Sequence, residues 1–231
     1  MTIELYDLAG ANPEVRFSPF CWRTRMALAH KGLAVECRPW RFTEKSTIAF
    51  SGQGRVPVLR DGDHIVSDSW AIAEDLEARY PDRPSLFGGA AGKAHAHFVN
   101  SWADSVLHPG IARLIIADVW SCLAEQDRDY FRTSREERFG ARLEDIQAKR
   151  DADVVLFRRS LVPLRTTIAA QSFLGGATAS YADYIAFGGF QWARATSAFE
   201  LLEASDAIAS WRDRMLDLFD GLARAAPRAI H

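Results

Sequence analysis

The sequence predicts an α/β domain with a mixed four-stranded sheet, followed by an all-helical domain. Over the N-terminal third of the chain, strand and helix patterns alternate. A stretch of small residues, 88–92, interrupts this alternation. Beyond it the strand patterns fade and long amphipathic segments take over. The change in pattern predicts domains over residues 1–82 and 93–231, joined by a linker over residues 83–92.

The N-terminal elements are predicted from side-chain periodicity and from turn residues. Pro19 suits the first turn of a helix, and Gly32 suits its end. The turn Asp61-Gly62-Asp63 joins two short strands as a hairpin, so the sheet contains both strand directions. The predicted strands cover residues 3–8, 35–39, 56–59 and 64–66, and the predicted helices cover residues 19–31 and 69–80.

The C-terminal part is predicted to be helical throughout. Two serine residues, Ser134 and Ser180, are each followed three residues later by an acid, Glu137 and Asp183. This spacing is typical of a capping box, in which the two side chains satisfy the first amides of a helix. The predicted helices cover residues 93–123, 134–170, 180–198 and 205–225.

Composition and charge exclude several classes of function. The chain has 231 residues, a net charge of −2 and a pI near 6.3, which argues against binding nucleic acid or an anionic membrane. The first residues lack a signal-peptide pattern, and no apolar stretch reaches membrane-spanning length, so we expect a cytoplasmic protein. Three cysteines without paired spacing predict reduced thiols, and no metal site is predicted.

A serine lies at the start of the first predicted helix, in the run FSPFCWR of residues 17–23. The unpaired amides and the dipole of a helix N-terminus favour an anion there. Ser18 and Cys21 form an S-x-x-C pattern, and the hydroxyl excludes a disulfide within it. Taken alone, Ser18 is interpreted as a helix cap and Cys21 as a small buried residue.

Two further features lie downstream of this serine. Pro57 heads a strand, where a cis peptide bond would leave the backbone of Val56 free for an extended ligand. Asp68 and Ser69 open a helix directly after a strand, which by itself is typical of a cap. Each feature is weak alone.

In this order and spacing, the three features together resemble the glutathione transferase family over essentially the whole chain. The resemblance implies a thioredoxin-like N-terminal domain, and residues 180–184 look like the recurrent capping motif of the helical domain. It implies glutathione as co-substrate, with Ser18 donating a hydrogen bond to its sulfur and the Val56 backbone pairing with its cysteinyl part. Asp68 and Ser69 would hold the γ-glutamyl end, and Arg55 and Lys45 would contact the glycyl carboxylate. Phe20 and Pro57 complete the implied glutathione site.

Within the family, residues 18–25, 68–74 and 190–194 look most like the bacterial β-etherases and their fungal relatives. This resemblance implies a homodimer that transfers glutathione to a hydrophobic, aromatic electrophile, with aryl ether cleavage and a role in detoxification as finer expectations. Two alternatives stay open. One is a glutathione-dependent isomerase similar to zeta-type members, from whose pattern Pro19 and Phe20 depart, and the other is a non-catalytic ligand carrier.

The second substrate would contact apolar side chains of the helical domain. The candidates from sequence are Trp102, Leu107, Ile111, Ile115 and Trp120. Most large apolar residues in such helices belong to the core, so we expect most of these to be core residues.

Overall fold

The computed structural model describes residues 2–229 and has the predicted mixed sheet of four strands. The strand order is β2-β1-β3-β4, in which β1 and β2 are parallel and the other pairs are antiparallel. The helix α1 connects the two parallel strands. The strands are β1 (Ile3–Leu8), β2 (Val35–Trp40), β3 (Val58–Asp61) and β4 (His64–Ser67), and the first helices are α1 (Pro19–His30) and α2 (Ser69–Arg79).

The strand β3 begins two residues later than the sequence predicts. Val56 and Pro57 precede it, and pairing with β1 begins at Val58 opposite Tyr6. Proline has no N–H to donate to a sheet, so it suits the entry to a strand better than its interior. A 3₁₀ helix, Lys45–Ser51, lies between β2 and this entry.

The remainder of the described chain is helical, as predicted. Its helices are α3 (Ala90–Trp102), α4 (His108–Ser121), α5 (Glu125–Phe139), α6 (Leu143–Gln147), α7 (Arg150–Ser160), α8 (Val162–Ala170), α9 (Tyr181–Thr196) and α10 (Ala207–Gly221). One π-helical turn, Ala103–Leu107, joins α3 to α4 and makes residues 90–121 a continuous rod. None of the helices in residues 2–229 is long and apolar enough to cross a membrane.

The predicted helix over residues 134–170 is wrong in its start and in its continuity. The helix α5 begins at Glu125, and Ser134 lies in its interior, where its hydroxyl donates to the carbonyl of Tyr130 at 2.7 Å. A serine inside a helix commonly donates to a carbonyl one turn earlier. The spacing of Ser134 and Glu137 therefore matched the capping-box pattern although no helix begins there. Gly140 then ends α5 with a φ of 68°, and three shorter helices follow. The second predicted cap, at Ser180, is confirmed as a capping box with Asp183.

The helices α1 and α9 pack against each other and join the two parts of the molecule in one core. At Gly188 in the middle of α9, an added Cβ would overlap the backbone carbonyl oxygen of Pro19. The neighbouring Gly189 faces only side-chain ends, those of His108 and Ile111 at 3.1 Å and Leu107 at 3.4 Å. The close approach of α9 therefore sets the position at which α1 begins.

Gly188→Ala is expected to lower the free energy of unfolding by about 2 kcal/mol, because the methyl group must push one helix away from the other. Gly189→Ala is the matched control and is expected to cost less, since side-chain ends move more easily than backbone. Chemical denaturation of both variants measures the difference. Equal losses would show that α9 does not fix the start of α1.

Candidate active site

A cavity of about 490 Å³ lies where the start of α1 and the segment before β3 face the helices α4 and α5. Its polar lining comes from Ser18, Arg55, Asp104, His108, Arg135 and Arg138. Its aromatic lining includes Phe20, Phe42, Tyr130, Phe131, Phe139 and Trp192. The α/β part supplies a hydroxyl at a helix start, and the helical part supplies an aromatic wall.

Ser18 caps α1 and also lines this cavity. Its Oγ accepts a hydrogen bond from the backbone N–H of Cys21 at 3.3 Å, and Pro19 occupies the first helical position, as predicted. The cap uses the oxygen only as an acceptor. The hydroxyl also contacts the thiol of Cys21, and because a serine O–H rotates about its C–O bond it can turn to donate to a group bound in the cavity.

Cys21 is fully buried behind Ser18 and does not line the cavity. Burial raises the pKa of its thiol well above the ordinary range, and the nearby carboxylate of Asp7 raises it further. A thiolate nucleophile needs exposure and a lowered pKa. Cys21 has neither, in agreement with its interpretation as a small core residue.

Of the predicted ligand-binding residues in the α/β part, Phe20, Arg55 and Val56 join Ser18 in the cavity lining. The Val56–Pro57 peptide is cis, as expected. Val56 lies outside the ladder of β1 and β3, which leaves its backbone groups at the cavity edge. Lys45 does not line the cavity, and its Nζ lies 5.2 Å from the ring centroid of Tyr130.

Asp68 and Ser69 lie beyond the cavity lining, at the start of α2. The Asp68 N–H donates to the carbonyl of Pro57 at 3.3 Å, which ties the two predicted segments together. The Asp68 Oδ1 caps α2 by accepting from the amides of Trp70 and Ala71 at 2.8 and 3.1 Å. Its backbone has a φ of 76° and a ψ of 132°, a strained conformation for a residue with a side chain.

The sequence prediction missed His108, which lines the cavity beside Phe20 with ring centroids 5.4 Å apart. Its Nδ1 lies 3.2 Å from Asp104 Oδ1, while Nε2 has no partner within the described residues. Burial lowers the pKa of His108, which favours a neutral ring. A neutral imidazole can donate a proton from one nitrogen and accept one at the other. The adjacent π-helical turn carries Asp104, and such turns are frequent at functional sites, but the sequence pattern does not predict it.

The apolar candidates from sequence do not line the cavity. Leu107, Ile111 and Ile115 are fully buried in the core, and Trp102 and Trp120 pack against it. This outcome confirms the expectation that most are core residues. The neighbouring face of α4 is the one that lines the cavity, with His108, Pro109, Ala112, Ile116 and Val119.

Comparison with known families agrees with this architecture. The profile of the glutathione S-transferase N-terminal domain matches residues 13–84. The profile of the glutathione S-transferase C-terminal domain matches residues 94–222, which is more than half of the chain. The chain belongs to the glutathione S-transferase family.

Individual family members show the same relationship. Glutathione S-transferase Z1 from Arabidopsis thaliana is 35% identical over 94 residues, which are 38% of this chain and 41% of that protein. The chain therefore spans about two fifths of the length of this relative. Glutathione S-transferase 4 from Zea mays is 26% identical over 203 residues, covering 84% of this chain and 82% of the relative.

Solved structures of other glutathione S-transferases superpose over nearly the whole chain. GSTFuA3 from Phanerochaete chrysosporium has a TM-score of 0.84 and 25% identity, covering 96% of this chain and 97% of its own. CsGST63524 from Ceriporiopsis subvermispora, solved in complex with glutathione, has a TM-score of 0.81 and 24% identity, covering 99% of this chain and 100% of its own. These superpositions agree with the family that the profiles show, and the β-etherase subgroup stays a prediction.

Proposed function

We propose that this glutathione S-transferase binds glutathione across the α/β part and transfers it to a hydrophobic, aromatic electrophile held by the helical part. The observation that carries the proposal is the hydroxyl of Ser18, which lies at a helix N-terminus and opens into a cavity of about 490 Å³ with aromatic walls. A fungal structure with the same fold was solved with glutathione bound.

The proposed chemistry depends on the ionised sulfur of glutathione. An ordinary thiol has a pKa of about 8.5, so only a few per cent is thiolate at neutral pH. Lowering that pKa by about two units needs roughly 2.7 kcal/mol of preferential thiolate stabilisation. A hydrogen bond from Ser18 to a charged sulfur, together with the N-terminus of α1, can supply this amount. The thiolate then forms a C–S bond, and the leaving group departs with the electron pair of the broken bond.

The remainder of glutathione is placed by residues that flank the cavity. Val56 pairs its backbone with the cysteinyl part, and Arg55 and Lys45 contact the glycyl carboxylate. Asp68 and Ser69 hold the γ-glutamyl end. The strained backbone of Asp68 supports this role, because such strain concentrates at ligand-binding positions. One of its carboxylate oxygens caps α2, and Oδ2, which has no described partner within residues 2–229, is available to an ammonium group.

Asp68→Asn is expected to weaken glutathione binding about tenfold, because the amide keeps the cap oxygen and loses the negative charge. The pKa of the bound thiol changes little, since Asp68 lies outside the cavity that holds Ser18. Calorimetry with glutathione measures the affinity. Glu74→Gln, which removes a charge further along α2, is the control, and equal affinities for all three proteins would remove Asp68 from the site.

Conjugation of glutathione to chloro-dinitrobenzene, followed by ultraviolet absorbance, tests transferase activity directly. Glutathione binding without turnover of this or any aryl ether would favour the ligand-carrier alternative. The finer proposal of aryl ether cleavage is tested with an aryl ether whose released phenol is measured.

A second candidate function is glutathione-dependent isomerisation. The observation in its favour is the 35% identity over 98 residues to the zeta-class glutathione S-transferase of Euphorbia esula, which covers 40% of this chain. Isomerisation leaves the amount of glutathione unchanged, whereas transfer consumes it. Measuring free thiol during turnover therefore separates the two reactions.

We also propose a homodimer, as the family resemblance implies, and a cytoplasmic location, as the sequence pattern predicts. Light scattering of the purified protein tests the dimer, and cell fractionation tests the compartment.

A further inference from the structure

The proposed function leaves two cavity-lining cations without a role, Arg135 and Arg138 of α5. They lie three residues apart, so they share one face of the helix. No carboxylate within residues 2–229 lies within ion-pair distance of either one. Arg132 on the same helix, by contrast, contacts Glu136 at 2.8 Å and Glu144 at 2.6 Å.

Aromatic rings of the cavity wall hold these guanidinium groups in place. The Arg135 Cζ lies 4.7 Å from the ring centroid of Phe131 and 5.5 Å from that of Phe42. The Arg138 Cζ lies 5.9 Å from the centroid of Phe139. A guanidinium on an aromatic face keeps its hydrogen-bond donors at its edge. Arg135 Nη1 donates to the hydroxyl of Ser134 at 2.9 Å, and its other donors have no described partner within residues 2–229. The same wall thus offers flat apolar surface and cationic donors together.

The charge balance of the cavity is positive. Three arginines line it, and Asp104 is the one acidic side chain in its lining. The carboxylate of Asp104 already contacts Arg23 and Asn100. Burial lowers the pKa of Arg135, and the charges of Arg138 and Arg55 add to this effect. An anion bound between these groups would offset both the repulsion and the burial.

We infer that the electrophile is an aromatic compound carrying a carboxylate, which Arg135 and Arg138 bind while the ring lies against Phe131 and Phe42. The inference rests on the proposed transferase function and adds its substrate class. Arg55 and Lys45 of the α/β part are assigned to the glycyl carboxylate of glutathione. The two anions are therefore assigned to different cations, since Arg55 comes from the α/β part and Arg135 and Arg138 come from α5.

Two benzyl chlorides that differ in charge test the inference: para-(chloromethyl)benzoate and the neutral para-(chloromethyl)benzamide. The glutathione thiolate forms a C–S bond at the benzylic carbon, and chloride leaves with the electron pair. We expect wild type to prefer the benzoate in kcat/KM, each value being divided by the uncatalysed rate with glutathione. Arg135→Gln and Arg138→Gln are each expected to reduce this preference about tenfold.

Arg113→Gln is the matched control. The Arg113 Cζ lies 5.6 Å from the Phe139 ring, yet Arg113 does not line the cavity, so its loss is expected to leave the preference unchanged. Arg135→Lys keeps the positive charge and is expected to retain part of the preference. Arg138 is exposed, so its variant is expected to fold even where Arg135→Gln does not.

Calorimetry with the two products, S-(para-carboxybenzyl)glutathione and S-(para-carbamoylbenzyl)glutathione, needs no turnover. The carboxy product is expected to bind more tightly to wild type and to lose this advantage in the Arg138→Gln protein. If neither product nor glutathione binds, the proposed function itself fails. If both products bind wild type equally, the inference is overturned. It is also overturned if the arginine variants weaken both products and free glutathione alike, because the arginines would then bind glutathione instead.

Discussion

Ser18→Ala is expected to reduce turnover at neutral pH about 25-fold, because raising the thiol pKa by about two units to about 8.5 leaves only a few per cent of the bound thiol ionised at pH 7. Glutathione affinity is expected to change by no more than about fourfold, a split that corresponds to loss of thiolate stabilisation alone. The Ser18 hydroxyl lies in the cavity lining, whereas the residues proposed to bind the other parts of glutathione lie elsewhere along the α/β part. The pKa of bound glutathione is expected to rise toward that of the free thiol. Ultraviolet absorbance of the thiolate, titrated with pH, measures this change.

Two variants control for the other properties of this helix start. Ser18→Thr retains both the hydroxyl and the cap, and it is expected to keep most of the activity. Cys21→Ala removes the buried thiol and is expected to leave the thiolate titration unchanged, because that sulfur does not reach the cavity. Since Ser18 also caps α1, the alanine variant loses about 1 kcal/mol of stability and stays folded. An unaltered titration in Ser18→Ala would contradict its role as the activating group.

Asp183→Ala is expected to lower the free energy of unfolding by about 4 kcal/mol, the largest stability change foreseen for a single substitution here. Asp183 is fully buried, and its Oδ1 accepts from Leu174 N at 2.7 Å and Trp211 Nε1 at 3.0 Å. Its Oδ2 accepts from the amides of Gly175 and Ser180 at 2.9 and 3.0 Å. Alanine leaves all four donors, two of them buried and two partly buried, without this acceptor. Urea denaturation measures the loss.

Ser180→Ala provides the matched control at the other end of the same capping box. Its hydroxyl contributes to the capping box and contacts the Asp183 carboxylate at 3.3 Å, and its removal is expected to cost about 1 kcal/mol. If the two alanine variants unfolded at the same urea concentration, Asp183 would be a cap residue only. The expected difference measures the further contacts that connect α9 to α10 and to the loop before α9.

Much of the fold could be predicted because its signals are local. Strand alternation, Pro19, Gly32 and the Asp61-Gly62-Asp63 turn each act within a few residues, and the structure has the sheet and the helices they predict. The start of α5 could not be predicted in the same way. Its first residue, Glu125, lacks a capping side chain before it, while Ser134 presented a cap pattern inside the helix.

The residues of the candidate site likewise divide into those that local motifs predict and those that they do not. Ser18, Phe20, Arg55 and Val56 were identified from motifs near the sheet, and the structure places all of them at the cavity. The cavity residues of the helical part escaped the sequence analysis because their neighbours there come from distant parts of the chain. On α4, core residues are directly adjacent in sequence to residues that line the cavity. Hydrophobic periodicity does not distinguish two positions that are adjacent along a helix. These missed residues include His108, Ala112, Ile116, Val119, Arg135 and Arg138.

The sequence by itself determined the fold class, the cap at Ser18 and the family resemblance, since each depends on residues close together along the chain. The tertiary structure alone decided that the serine opens into a cavity and that Cys21 lies behind it. It also decided that two arginines with no carboxylate partner among residues 2–229 face that cavity. The physical reason is that burial and charge pairing are properties of spatial neighbours. The packing of α9 against α1 and of α5 beside Phe42 creates those neighbours, and no local pattern contains them.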